Sequence, residues 1–323
     1  MILTVTPTPV LERSGSVDSP ITGGDLLSLQ RVDTYPGGSG VTIAHTAYLA
    51  GSPVHAIFPA PEISHYLRMI SLLGLPHDFV PVAGPIQTRF TVRDSSGQST
   101  QFLDPAMPLD AIQLAGLRDL TVSRAEKADW VVLAGPLPDV APNGWYVDVI
   151  RALSLYHPGV RTSVATSGNP LRAIIRQLSA ITPTLLSLNP EDISNLLPGP
   201  TSTDITSLLQ SGEISHVIDA VKPLLDSGVS EVLISFPPDR AVSVSSTSGW
   251  LASVPTAVAR QCSHFREKLV AGYLMAETTG AEPDQCLSVG LAYAVAVGTD
   301  PDCGLPTPDI VRTRDVTCTP LDI

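Results

Sequence analysis

Short apolar runs alternate along this chain with segments whose apolar positions recur every three or four residues. The runs at 2–6, 54–58, 130–134, 162–165, 184–188 and 231–236 read as buried strands. Residues 40–50, 62–73, 145–155, 171–178 and 214–225 carry helical spacing, as does "KLVAGYL" at 268–274. Strands that alternate with helices predict a mostly parallel central sheet covered on both faces, a three-layer α/β/α architecture.

Two stretches break this rhythm. Residues 14–35 and 88–103 alternate with a period of two and contain turn signals. In "TRFTVRDSSGQSTQFL" the alternating Phe90 and Val92 precede a "DSSGQ" turn, and Thr100 and Phe102 follow it, which predicts a hairpin. Such strands do not fit between crossover helices. They predict a small β-sheet lid, built from about residues 12–35 and 86–104, on a single domain spanning residues 1–323. The apolar face of Phe90, Val92 and Phe102 is costly to leave in water, so the lid is expected to pack on the body or on the lid of a second subunit. The most loop-like stretch is "LLPGPTSTD" at 196–204.

Composition narrows the function classes. With 323 residues, 43% of them hydrophobic and 15% charged, the chain can bury a sizeable core. A net charge of −12 argues against a nucleic-acid or anionic-membrane surface, but leaves room for a phosphorylated small molecule held by a few local cations. No apolar run approaches the length of a membrane span, and the first residues lack the basic region of a signal peptide, so a cytoplasmic location is expected. Cys262, Cys286, Cys303 and Cys318 lie far apart, without zinc-ligand spacing, and are expected as reduced thiols. No H-x-x-x-H pair is present, "GGSG" lacks the ending of a P-loop, and no G-x-S-x-G elbow supports a hydrolase.

Eight segments, in order, carry a resemblance. They are "ILTVTPTPVLE" (2–12), "PGGSGVTIAHTAYLAG" (36–51), "QTRFTV" (87–92), "ADWVVLAGPLP" (128–138), "VATSGNPLR" (164–172), "LLSLNPEDISNL" (185–196), "GVSEVLISFPPDRAVSV" (228–244) and "KLVAGYL" (268–274). Together they resemble the ribokinase/PfkB family of sugar kinases, in particular the 1-phosphofructokinase and tagatose-6-phosphate kinase branch. Each segment alone is a weak signal; the ordered set, over almost the whole chain, is a strong one. The resemblance implies a ribokinase-like fold, ATP and Mg²⁺ as cofactors, a sugar phosphate under the β lid, and phosphorylation of a sugar hydroxyl. A homodimer through the lid is implied in the same way.

Phosphoryl transfer to an alcohol needs a base near the hydroxyl, donors for the transferred group, and Mg²⁺. In the family a G-A-G-D turn at a helix N-terminus supplies the first two. The equivalent residues here are His264, Phe265, Arg266 and Glu267, so both glycines are replaced where backbone would face a phosphate. Glu267 reads either as a displaced base or as a first-turn carboxylate favoured by the helix dipole. Arg266 and His264 could stand in for the anion hole. On the nucleotide side, Ser235 begins "SFPPDR", in which Pro237 and Arg240 replace glycines and Pro237 removes an N–H donor. The family's metal-linked N-x-x-E is "NPED", with Asn189 kept and Asp192 in place of Glu; a helix start with Pro190 at its first position explains it equally well.

The implied sugar side is mixed. Arg89 matches the lid arginine that would grip a substrate phosphate. Gly37, Gly38 and Gly40 are retained, while Ser39 stands for a lysine, Thr42 for an asparagine and Glu12 for the aspartate that contacts sugar hydroxyls. Glu12 also reads as a plain strand-end acid. Erosion is thus concentrated at the positions that carry chemistry. Two expectations compete: a kinase with a rebuilt site and weak activity, and a non-catalytic kinase homologue that binds a sugar phosphate or a protein partner.

Overall fold

The computed structural model describes residues 1–196, 202–211, 214–255, 263–296 and 304–323. Among them, the strands in chain order are β1 (Ile2–Val5), β2 (Val10–Ser16), β3 (Val32–Gly37), β4 (Val54–Ala60), β5 (His77–Pro81), β6 (Gln87–Arg93) and β7 (Ser99–Leu103). They continue with β8 (Trp130–Ala134), β9 (Arg161–Ala165), β10 (Leu185–Leu188), β11 (Glu231–Phe236), β12 (Arg240–Ser245), β13 (Gly249–Ser253) and β14 (Thr317–Leu321). The helices are α1 (Ser39–Leu49), α2 (His65–Leu73), α3 (Ala111–Ala125), α4 (Trp145–Tyr156), α5 (Gly168–Ile175), α6 (Pro190–Leu196), α7 (Ser202–Ser211), α8 (Ser215–Asp226), α9 (Phe265–Thr278) and α10 (Pro283–Val295).

Ten strands form one sheet in the order β14-β13-β12-β11-β10-β9-β8-β1-β4-β5. From β11 to β5 every neighbouring pair is parallel, while β12, β13 and β14 extend the edge antiparallel. Period-two alternation along the central strands splits the core into two layers. Leu3, Val5, Val131 and Leu133 point toward α3 to α8, and Ile2, Trp130, Val132 and Ala134 point toward α1, α2, α9 and α10. The fold is therefore the three-layer α/β/α arrangement that the pattern predicts.

A second sheet, ordered β3-β2-β6-β7, stands apart from the first. β6 and β7 coincide with the second stretch of period-two alternation to within one residue, whereas β2 begins at Val10, four residues before the first stretch, and β3 runs two residues past its end. The β2–β3 pair runs from Val10–Gly37 to Gly15–Val32, so residues 18–31 are the connection between strands and not strand themselves. The most loop-like stretch, 196–204, needs a correction. Residues 197–201 lie outside the described residues, but α7 already begins at Ser202, with Asp204 in its first turn and Ile205 buried beneath it. The elements β5, β12, β13, β14, α3 and α10 are additions to the sequence reading.

The placement of α9 matters most for the site. It crosses α10 at two glycines: a Cβ on Gly272 would meet Gly290 Cα and Val289 O, each at 2.9 Å. Lys268, buried, donates from Nζ to the carbonyl of Ala296 at 3.2 Å, placing a cation at the C-terminal end of α10. Cys286 and Cys318 are free thiols; Cys262 and Cys303 lie outside the described residues.

At the opposite end of α9, Glu231 is enclosed between sheet and helix. Ser243 Oγ and Tyr273 OH both donate to its Oε1. Burial raises its pKa above the ordinary 4.5; the two hydroxyl bonds oppose that rise, and the Glu277 carboxylate adds to it. The folded state therefore holds this proton more tightly than the unfolded chain. The stability it confers is complete below about pH 4.5 and is lost as pH rises through the folded-state pKa. Glu231→Gln should remove that loss, so its unfolding free energy relative to the unsubstituted chain should grow as pH increases from 4.5. Urea unfolding at several pH values measures it; a difference independent of pH would refute the assignment.

Candidate functional site

The site lies where the C-terminal ends of the parallel strands meet the first turns of α1 and α9, beneath the lid sheet. Gly38 follows β3 and caps α1 with φ 106 and ψ 140, a conformation open to glycine. The glycines here also permit close packing. A Cβ on Gly38 would meet Thr6 Cγ2 at 2.8 Å, one on Gly40 would meet Thr6 Oγ1 at 2.4 Å, and one on Gly37 would meet Glu12 Cγ at 2.6 Å. Thr42 is buried in the first turn of α1 and donates its backbone N–H to Gly38 O at 2.8 Å. Tyr66 of α2 donates its hydroxyl to Gly37 O at 2.7 Å, fixing the base of the lid to the body.

On the lid, Glu12 and Arg89 face each other in register across β2 and β6. Arg89 Nη1 donates to Glu12 Oε1 at 2.9 Å. Burial raises the Glu12 pKa; the charges of Arg89 and His264 oppose that rise and Glu267 adds to it. Glu12 thus senses α9 across the space between lid and body.

At the N-terminus of α9, His264 is the capping residue, with φ 58 and ψ 32. Among the described residues it alone combines a side chain with positive φ. Left-handed backbone at a non-glycine residue costs roughly 1–3 kcal/mol and marks a locally imposed geometry. Phe265 turns into the core, 5% exposed, among the residues beneath α9. Glu267 accepts the hydroxyl of Ser39 at 2.8 Å. Its carboxylate therefore lies at the first turn of α9, bonded to the first residue of α1, and both helix ends carry positive dipole.

Arg266 is the hub of the nucleotide side. Nε donates to Ser187 Oγ at 3.3 Å, Nη1 to Ser167 Oγ at 3.0 Å and to Asp192 Oδ2 at 3.2 Å, and Nη2 to Thr166 O at 2.9 Å and to Ser187 O. All five guanidinium N–H groups are thereby used. Burial pulls the Arg266 pKa down, and the Asp192 and Glu267 carboxylates push it back up. Asp192, 3% exposed, also accepts Asn189 N at 3.1 Å, while Asn189 Oδ1 accepts Asp192 N at 2.8 Å. This reciprocal pair is a helix cap for α6, with Pro190 at the first helical position. Of the two readings of "NPED", the helix start is the geometry present.

These contacts bear directly on the implied cofactors. Asp192 is the carboxylate the resemblance assigned to metal, and its Oδ2 already serves a backbone N–H and a guanidinium. The oxygens of Thr166, Ser167 and Ser187 are also taken by Arg266. Among the described residues no group of three or more His, Cys, Asp or Glu is arranged to hold a metal ion. A divalent cation does not fit a donor set already filled by a fixed positive charge. The phosphate side is equally altered: Pro237–Asp239 form the tight link between β11 and β12, and Ser235 is buried, with Oγ donating to Leu188 O at 3.3 Å. Neither the buried Ser235 hydroxyl nor the buried Phe265 side chain is offered to a ligand.

No family model matches the chain. Solved structures do. Phosphofructokinase-2 from Escherichia coli, in complex with substrates and products, is 21% identical with TM-score 0.79, covering 97% of this chain and 96% of that one. A possible 1-phosphofructokinase from Thermotoga maritima is 17% identical with TM-score 0.80, and each chain is covered in full. A carbohydrate kinase from Agrobacterium tumefaciens is 15% identical with TM-score 0.70 over 99% of both chains. At these identities the likeness establishes the fold: this chain is folded as those sugar kinases are, central sheet and separate four-stranded sheet included. Among the described residues no helix is long and apolar enough to cross a membrane.

The structure brings Glu12, Ser39, Arg89, His264 and Glu267 to one side of the cleft, and Asn189, Asp192 and Arg266 to the other. The serines that receive Arg266, Ser167 and Ser187, were missed; Ser167 stood inside the quoted "VATSGNPLR" and could have been flagged as the start of α5. Arg266→Ala would leave the Asp192 carboxylate buried without its cation, which typically costs about 3–5 kcal/mol. Urea unfolding should show a loss of that size, with part of it restored by adding Asp192→Asn. A loss below about 1 kcal/mol would be the size of an exposed pair and would show the contact to be dispensable.

Proposed function

We propose that this chain is a kinase-fold sugar-binding protein of the PfkB type in which phosphoryl transfer is very slow or lost. One observation carries the reading: the Arg266 guanidinium is bonded on all five N–H groups across the place where metal and phosphate would be handled. Glu267 complements it. A carboxylate between two helix N-termini already supplies the negative charge that a phosphate would bring there. The ligand is a sugar or sugar phosphate under the lid, near Glu12, Gly38, Ser39, Thr42 and Arg89. The E. coli neighbour has been solved with fructose 6-phosphate, which supports a sugar or sugar phosphate as the ligand class.

Losing one donor to a transferring group costs roughly 10²–10³-fold in rate. With several replaced, ATP-dependent phosphorylation of fructose 1-phosphate or tagatose 6-phosphate should fall at least about 10⁴-fold below ordinary kinase turnover of roughly 1–100 s⁻¹. A coupled assay with MgATP measures it, and MgATP should leave the melting temperature unchanged. The rival reading, an active kinase with Glu267 as base, is favoured by the 2.8 Å bond that holds this carboxylate beside Ser39 at the helix end. Ordinary turnover that disappears in Glu267→Gln would establish it.

The lid also supports a homodimer. On the face opposite Glu12, Phe90 pairs with Phe102, and Arg13 lies over the Phe90 ring at 5.2 Å. Val92 is buried, but Phe102 is 59% exposed and Val32 is exposed on the same face. Analytical ultracentrifugation at micromolar concentration should give a dimer that Phe102→Asp dissociates. A monomeric unsubstituted chain would sink this assembly.

A further inference from the structure

The "GGSG" turn sets a serine where a strand ends and a helix begins. β3 stops at Gly37, Gly38 turns the chain with φ 106, and Ser39 opens α1. The sequence has no G-x-S-x-G spacing, yet the fold supplies the strand–turn–helix setting in which a serine nucleophile is displayed. Ser39 is half-buried, and its Oγ donates to Glu267 Oε1 at 2.8 Å. A serine hydroxyl bonded to a carboxylate has a base within reach. Gly135 lies beside that hydroxyl. A Cβ on it would be 3.5 Å from both Ser39 Cβ and Oγ, so the glycine leaves the space of a side chain free there.

Donors stand at the same turn. The ladder of α1 starts with the Thr42 N–H on Gly38 O, so the N–H groups of Ser39, Gly40 and Val41 precede it and have no partner within the helix. Thr6 adds a hydroxyl. It is 0% exposed, its Oγ1 has no hydrogen-bond partner, and that oxygen is 2.4 Å from where a Cβ on Gly40 would be. An enclosed hydroxyl without a partner is uncommon and costs free energy. This one abuts the first turn of α1, where an arriving oxygen would satisfy it together with the helix N–H groups. Nucleophile, base and oxyanion donors are the parts that acyl transfer requires.

We propose that this chain hydrolyses a small uncharged carboxylic ester, with Ser39 as nucleophile, Glu267 as general base, and the Gly40 N–H and Thr6 hydroxyl as donors to the carbonyl oxygen. Ser39 Oγ bonds to the acyl carbon while its proton passes to Glu267 and the carbonyl π pair moves onto oxygen. That pair returns, the C–O bond to the alcohol breaks, and Glu267 gives the departing alkoxide its proton. Water then attacks the acyl-serine; its proton passes to Glu267 and from there to Ser39 Oγ as the acid leaves. An ester fits because an alcohol leaves more readily than an amine. The gap at Gly135 is one side chain deep, which suits a short acyl group. Glu12 is close enough to Glu267 to feel its charge, which disfavours an acyl group that is itself negative.

The full chain is treated with a fluorophosphonate probe and, separately, with 4-nitrophenyl acetate. ATP and metal are left out, so phosphoryl transfer contributes nothing to either readout. Peptide mass mapping should place a single adduct on Ser39, and the acetate should be hydrolysed with an initial burst of about one nitrophenolate per chain. Ser39→Ala should abolish adduct and burst. Glu267→Gln should slow acylation by at least about 10²-fold. Thr6→Val should slow hydrolysis at least tenfold without lowering the melting temperature, since it removes a hydroxyl that no neighbour uses; a purely structural threonine would not move the rate. If Glu267→Gln fails to fold, the Ser39 adduct and Ser39→Ala decide alone. No adduct on Ser39, or hydrolysis that persists in Ser39→Ala, overturns the proposal, and an unchanged rate in Thr6→Val overturns the part given to Thr6.

Discussion

A guanidinium group has five N–H bonds to place, and Arg266 places them on the ends of β9 and β10, the start of α5 and the first turn of α6. Those are the ends of neighbouring parallel strands, where a doubly covered α/β sheet opens its ligand crevice. Carbonyls and hydroxyls converge there because each strand finishes before its helix begins. Such a concentration of acceptors needs a cation. Arg266 supplies it from within the chain, and the position of α9 follows, since the arginine is the second residue of that helix.

The same logic governs the other charges. Two helix N-termini meet at the cleft, and Glu267 lies between them. The lid carries an arginine, and Glu12 neutralises it. Both arginines that a ligand's negative charge could have answered are answered by a carboxylate of the chain, Arg89 by Glu12 and Arg266 by Asp192. Desolvated ions persist only when paired and hydrogen-bonded, so the cleft is stable without visitors.

Much of the fold could be read from the sequence, because alternation and helical spacing are local. The strands Trp130–Ala134 and Glu231–Phe236 appear as predicted, and their apolar character on both faces reports the two covering layers. The antiparallel edge was harder. The strand Gly249–Ser253 is short and half-buried, and Thr317–Leu321 pairs with it from the far end of the chain. The site was partly legible. Glu267 and Asp192 could be located by motif, but their roles depend on partners that spacing does not reveal. Arg266 bonds to residues 74 to 100 positions away. The left-handed backbone at His264 was foreseen only as a cost of losing glycine; that His264 alone bears it is a property of the folded chain.

The hydroxyl of Tyr66 on the Gly37 carbonyl sets how the lid can deform. Gly37 is the last residue of β3 and lies opposite Val10, the first residue of β2, so the edge strand β3 and the inner strand β2 are anchored at that level. Tilting the whole sheet as a stiff plate would break a buried bond at its root. Bending farther out, toward the connection at residues 18–31, would leave that bond intact. The lid is thus a cantilever, clamped near the ligand and compliant at its tip, and Glu12, two residues from the clamp, keeps its height above the cleft while the outer edge flexes.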